Sequence, residues 1–128
     1  MRLLLDTHAF LWFLAGNRAL SRKARKAIES ARNEKYLSAA SVWEIAIKHS
    51  LGRLRLGLPL RDAVQAGTDE CGLILLSVNA DHAMAVGDLS FSHDDPFDRL
   101  LIAQARVEDL HVVSRDEAFD DSGVPRIW

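Results

Sequence analysis

Short runs of strand length return four times along the chain, at RLLLD (2–6), KYLSAAS (35–41), GLILLSV (72–78) and LHVVS (110–114), with helix-patterned segments between them. This alternation restricts the fold more than any other feature. Short apolar strands joined by helical crossovers belong in a parallel sheet covered on both faces. The pattern predicts an α/β fold, a single-domain open parallel β-sheet of four or five strands flanked by helices on both faces. VPRIW (124–128) is the candidate fifth strand. The 128 residues suffice for one buried core, and no repeat, low-complexity tract or Pro/Gly-rich linker divides them, so residues 1–128 are expected to form one domain.

Helix signals fall in the intervals. THAFLWFLAG follows the first strand and stops at Gly16, and Ser21 caps SRKARKAIESARN. SVWEIAIKHSLGRL carries Trp43, Ile47 and Leu51 at i, i+4 and i+8 and closes at Gly52. Within it, Ser41-Val-Trp-Glu44 reads as a capping box. LRDAVQAGTDECG is a weaker helix, because Gly67 and Thr68 interrupt it. Asn79 opens the next helix, SFSHDDP is a polar loop, and Pro96 begins FDRLLIAQARVE at the position where proline is favoured. DEAFDDSG reads as a turn or one short helical stretch.

A hydrophobic share of 48% with 27% charged residues argues against disorder. The apolar runs are too short to span a bilayer, and no signal-peptide pattern is present, so no membrane role is expected. A lone Cys71 allows no internal disulfide and fits a reducing cytoplasm. Net charge is only −2, but residues 1–61 hold 12 of the 16 Lys and Arg and 4 of the 18 Asp and Glu. Such asymmetry suits a face that meets an anion, and equally suits charges that merely solvate helices.

Four acids stand at strand ends or helix starts. Each has a structural explanation: Asp6 can cap the helix after strand one, Glu44 completes the capping box, Asp98 sits in a first helical turn, and Asp116 follows strand four at a turn. Their positions taken together imply more. In an open parallel sheet the strand C-termini and the crossover-helix N-termini share one edge, where ligands bind. Four carboxylates brought to that edge repel one another, and a divalent cation with hard-oxygen preference, Mg²⁺ or Mn²⁺, relieves the repulsion. Such a centre suits phosphoryl chemistry.

The stretches LLLDTHAFLWFL, LSAASVWEIAIK, HDDPFDRLLIAQA and VVSRDEAF resemble, in order, the four motifs of the PIN-domain family. DTHxxLW, SxWEIAIK and DPFDRLLIAQA resemble most closely its VapC-like toxins from bacterial toxin–antitoxin pairs. The resemblance implies a Mg²⁺- or Mn²⁺-dependent endoribonuclease, dimeric, inhibited by a cognate antitoxin, leaving 5′-phosphate and 3′-hydroxyl ends. It implies that Asp6, Asp98 and Asp116 hold the metal, with Glu44 on it directly or through water, and that Thr7 and Ser114 support them. Asp94 departs from the pattern, which has a basic residue there. The alternative is a catalytically silent PIN-like module that binds RNA or protein.

Other residues are read as structural. Of the five histidines, His8 is expected to point away from Asp6, His49, His82 and His111 share no ligand spacing, and His93 is taken as a surface or satisfied-core residue, so the mechanism needs none of them. Trp12 and Trp43 lie on apolar stripes, which favours core or interface packing over base stacking. Lys48, Arg53, Arg55, Arg99 and Arg115 are candidate contacts to RNA or antitoxin.

Overall fold

The computed structural model describes residues 1–90 and 93–128. Phe91 and Ser92, which fall within the polar loop expected over 90–96, lie outside the described residues.

Strand β1 (Arg2–Leu5) forms the middle of the sheet, because Leu3, Leu4 and Leu5 have no exposed face. It is followed by α1 (Thr7–Ala15), α2 (Arg22–Glu29), β2 (Glu34–Ser38), α3 (Ala39–Ser50) and α4 (Leu60–Gln65), the last running into a π-helical turn at Ala66–Glu70. Then come β3 (Ile74–Leu76), α5 (Ala80–Val86), α6 (Pro96–Glu108), β4 (His111–Val113), a 3₁₀ turn (Glu117–Ser122) and β5 (Arg126–Ile127). The five strands lie in the order β3-β2-β1-β4-β5, and every pairing is parallel. The α/β sheet with helices on both faces is therefore as the sequence predicts, with the fifth strand present.

Side-chain alternation along β1 separates two apolar layers. Leu3 and Leu5 pack with Ala9, Phe10, Ala24 and Ile28 of α1 and α2. Leu4 packs on the other face with Leu101, Ile102 and Ala105 of α6. Burying such a side chain contributes about 1.5–3 kcal/mol. Gly67 falls where α1 crowds the π-helical turn: a Cβ there would stand 2.9 Å from the Phe10 ring. The glycine that weakens the helix pattern thus permits close packing.

Three local expectations are corrected. The third strand covers only Ile74–Leu76 of the expected 72–78 and lies at the sheet edge, so Ile74 and Leu75 are 45% and 51% exposed. Helix α3 starts two residues before Ser41: Ser38 is the cap and accepts from the Ala40 N–H at 3.0 Å, so the Ser41–Glu44 box does not form. That start rotates the buried face to Ala40, Ser41, Glu44 and Ile45, leaving Trp43 59% and Leu51 60% exposed. Trp43 instead meets the edge of Phe97 at 5.2 Å between ring centroids.

One buried polar chain crosses the second layer. The Ser38 hydroxyl donates to Gln104 Oε1 at 2.5 Å, Gln104 Nε2 lies 3.4 Å from the Ser77 carbonyl, and the same nitrogen lies 3.4 Å from Nδ1 of the buried His82. His82 Nε2 meets Glu108 Oε1 at 2.9 Å. Replacing Gln104 by Leu keeps the volume but strands these partners in the interior. A loss of about 1–3 kcal/mol in urea unfolding is expected, and unchanged stability would show that the network contributes nothing net.

Candidate active site

The strand order reverses direction beside β1. After β1 the chain turns toward β2, whereas β4 lies on its other side, and an open α/β sheet forms its crevice at such a point. Asp6 leaves the end of β1, and its N–H donates to the Val113 carbonyl of β4 at 3.0 Å. Its side chain caps α1, Oδ1 accepting from the Ala9 N–H at 2.8 Å. Asp6 is also almost wholly buried, and this desolvation pushes its carboxyl above the ordinary aspartate range. Hydrogen bonds from Ser114 and the Ala9 N–H, and the nearby His8, oppose the rise, while the Glu44 charge adds to it.

Glu44 reaches the same place from α3. It is buried, with Oε1 accepting from the Thr7 hydroxyl at 2.6 Å and Oε2 paired with Lys48 one helical turn later. The charge that the capping-box reading assigned to helix α3 therefore faces the cleft. The pairing with Glu44 holds the Lys48 ammonium above its usual pKa.

Asp98 arrives in the first turn of α6. Asp95 caps that helix, accepting from the N–H groups of Phe97 at 2.8 Å and Asp98 at 3.3 Å, and Pro96 occupies its first position. Burial pushes the Asp98 carboxyl up to about 6, against a hydrogen bond from His93 and with added repulsion from Asp95 and Asp6. Asp116, just past β4, is the most open of the four, and its Oδ1 accepts from the Ala118 N–H at 2.9 Å.

The structure brings Asp6, Thr7, Glu44, Lys48, Asp98 and Asp116 to the lining of one cleft of about 240 Å³, together with His8, His93 and Asp95. His93 is the addition that the sequence did not signal. Its Nε2 lies 2.6 Å from Asp98 Oδ2 and 3.8 Å from Asp116 Oδ2. Its place in the loop before a helix that starts at the acid-bearing edge is the one clue that could have raised it. His8 lines the cleft instead of turning away from it. Asp94 is exposed and does not line the cleft. Arg53, Arg55 and Arg115 are exposed, while Arg99 donates to the carbonyls of His93, Val86 and Leu89, bracing the approach to α6.

The donor set fits a hard divalent cation. Among the described residues, atoms of His93, Asp98 and Asp116 lie within 4.8 Å of one another, and Asp6 and Glu44 form the inner wall beside them. Carboxylate oxygens suit Mg²⁺ or Mn²⁺, and one imidazole is compatible with Mn²⁺. The raised carboxyls of Asp6 and Asp98 come first from burial, to which repulsion from the neighbouring carboxylates adds a smaller part that a cation would relieve.

Known proteins resemble this chain in sequence and in fold. The PIN domain family profile matches residues 3–124. Ribonuclease VapC22 of Mycobacterium tuberculosis is 30% identical over 128 residues, covering 98% of this chain and 97% of that protein. Among solved structures, VapBC2 of Rickettsia felis bound to a fragment of promoter DNA superposes with a TM-score of 0.73 at 12% identity, covering 98% of this chain and 97% of that one. Mycobacterium tuberculosis VapC20, described as a toxin that cleaves the sarcin–ricin loop, gives 0.61 at 18% identity over 95% of each chain.

Removing one of the crowded charges should relax the cleft. Asp98→Asn is expected to raise the melting temperature of metal-free protein by about 4 °C, near 1 kcal/mol. Mn²⁺ should raise the melting temperature of the wild type and leave Asp98→Asn nearly unmoved. A lower metal-free melting temperature for Asp98→Asn would show that the carboxylate gains more from its partners than it loses to its neighbours.

Proposed function

The chain belongs to the PIN-domain family, and from that premise we propose that it is a divalent-metal-dependent endoribonuclease toxin held in check by a cognate antitoxin. The observation that carries this reading is the meeting of four carboxylates, from four separate elements, in one cleft at the sheet's switch point. The naming of the VapC22 relative as a ribonuclease, at near full-length coverage, supports it.

Asp6, Asp98 and Asp116 are the proposed ligands of Mg²⁺ or Mn²⁺, with Glu44 as ligand or as acceptor from a bridging water. A cation held there supplies Lewis acidity toward a phosphodiester and favours ionisation of the attacking water. The protein's own groups orient these ligands. The Ala9 N–H and Ser114 hold Asp6, while Thr7 and Lys48 hold Glu44 by its two oxygens. His93 joins Asp98 to Asp116. The N-termini of α1 and α6, capped by Asp6 and Asp95, bring the positive ends of their dipoles to the edge where a phosphate would sit.

The partners follow from the surface. Leu11, Trp12 and Leu14 of α1 face Leu54, Leu56 and Leu58 across a largely apolar hollow of about 570 Å³ that also holds Arg55. This hollow supports docking of a protein partner, and we assign it to the antitoxin. The exposed Ile74 and Leu75 on the unpaired edge of β3, with Met84 of α5 also exposed, support a homodimer. Among the described residues no helix is long and apolar enough to cross a membrane. We place the protein, as one nuclease domain, in the cytoplasm.

Protein freed of antitoxin should cut RNA when Mg²⁺ or Mn²⁺ is supplied, and Asp6→Asn should cut at least roughly a hundredfold more slowly while keeping its fold. Sequencing of RNA 5′ ends after pulse expression of the two proteins reads the difference and locates the target. Undiminished cutting by Asp6→Asn defeats the carboxylate-cluster mechanism. Leu75→Lys is expected to shift the protein toward monomer in light scattering, and an unchanged dimer places the interface elsewhere.

A further inference from the structure

A second hollow opens beside the carboxylate cleft. It has a volume of about 510 Å³ and is lined by Asp6, His8, Trp12, Arg115, Asp116 and Glu117. Asp6, His8 and Asp116 line both spaces, so the two share a wall. The volume is in the range of sites that take small planar ligands, about 300–1,000 Å³.

Its walls are aromatic and cationic. His8 and Trp12 stand one turn apart on α1 with ring centroids 5.5 Å apart. Trp128 supports the Trp12 indole with its ring centroid 5.9 Å away. The Arg115 guanidinium lies over the Trp12 ring, 6.0 Å from its centroid. That gap exceeds a direct stack, whose planes approach to about 3.5–4 Å, and falls about 1 Å short of the space a flat base needs between two planes. Arg115 is exposed, so its flexible side chain can supply the difference.

We propose that Trp12, with His8 and Arg115, forms a stacking subsite for a base of the RNA strand whose phosphate lies at the carboxylate cleft. The proposal rests on the nuclease reading above. A neutral base suits this place better than a second phosphate, because Asp6, Asp116 and Glu117 repel anions from the rim while carboxylates accept hydrogen bonds from the amino groups of bases. Stacking on an aromatic face is tolerant of base identity, so the subsite sets the position and affinity of the strand more than its sequence. His8 and Trp12 also line the apolar hollow, but there leucines face them, whereas here the Arg115 guanidinium lies over the indole and the carboxylates of the cleft stand beside it.

The test uses two strands of equal length, a mixed-sequence single-stranded RNA and an abasic ribose-phosphate analogue, with wild type, Trp12→Ala and Trp12→Phe in Mn²⁺. For Trp12→Ala the KM on RNA should rise about tenfold with kcat little changed, while inhibition by the abasic strand stays at the wild-type level. Trp12→Phe, which keeps a ring, should recover most of the loss. Equal weakening toward both strands makes the indole a packing residue and overturns the subsite. So does an unchanged KM, which leaves the face to a protein partner. Both of those results leave the nuclease reading standing. A wild type that neither cuts nor binds RNA defeats that reading, and the subsite with it.

Discussion

The pairing of β1 with β4 is the constraint on which the rest depends. Leu5 stands opposite Val113, and one residue further the Asp6 N–H reaches the Val113 carbonyl. This register sets the acid that ends β1 beside the Ser114–Asp116 turn that ends β4. A shift by one residue would turn Leu4 and Val112 out of their layer and carry Asp6 away from Ser114. The apolar packing of both layers thus fixes the site. Asp6 and Asp116 continue buried strands, Asp98 stands in the first turn of a packed helix and Glu44 in the body of another, so only His93 depends on a loop for its place.

Capping and chemistry are joined at these residues. Asp6 caps α1, Asp116 caps the 3₁₀ turn, and Asp95 caps the helix that presents Asp98. A cap is worth about 1 kcal/mol, and it aims its carboxylate along the helix axis at the sheet edge. The capping bond to Asp6 uses Oδ1, leaving its second oxygen for another partner. Local helix chemistry therefore supplies rigid acids, and the topology collects them. Glu44 differs: Thr7 and Lys48 hold it across the cleft by side-chain bonds.

Much of this was legible in the sequence because it rests on strong local signals. Strand-length apolar runs, Gly16, Ser21, Asn79 and Pro96 each act where their chemistry implies. Failures occurred where long-range contacts outweighed a local pattern. Ser38 replaced Ser41 as the α3 cap because its hydroxyl also reaches Gln104, 66 residues away. That earlier start turned Trp43 outward, against its apolar spacing. GLILLSV reads as a strand seven residues long, yet only Ile74–Leu76 pair, because at the sheet edge a single neighbour holds them. His93 resembles any loop histidine until the fold sets it 2.6 Å from Asp98. Gln104, in the middle of an amphipathic helix, gives no hint that it is wholly buried.

Charge balance orders the events at the proposed site. Asp6, Glu44, Asp95, Asp98 and Asp116 line the cleft, with Lys48 and the two histidines as the cationic or titratable partners there. Each like-charge approach near 4 Å costs about 1–4 kcal/mol between watery and protein-like surroundings. A helix N-terminus returns about 0.3–1 kcal/mol. Two such termini are too weak to draw a phosphodiester into the cleft against several carboxylates. On the proposed reading, a cation would therefore have to enter before the scissile phosphate or together with it. The same balance separates two kinds of RNA contact. Phosphate binding in the cleft would depend on the ion, whereas the stacking of a neutral base on Trp12 would not, since the acids do not repel it. On that reading a strand that stacks a base on Trp12 still brings its own phosphates to the acids, so it would become a substrate only with the cation in place.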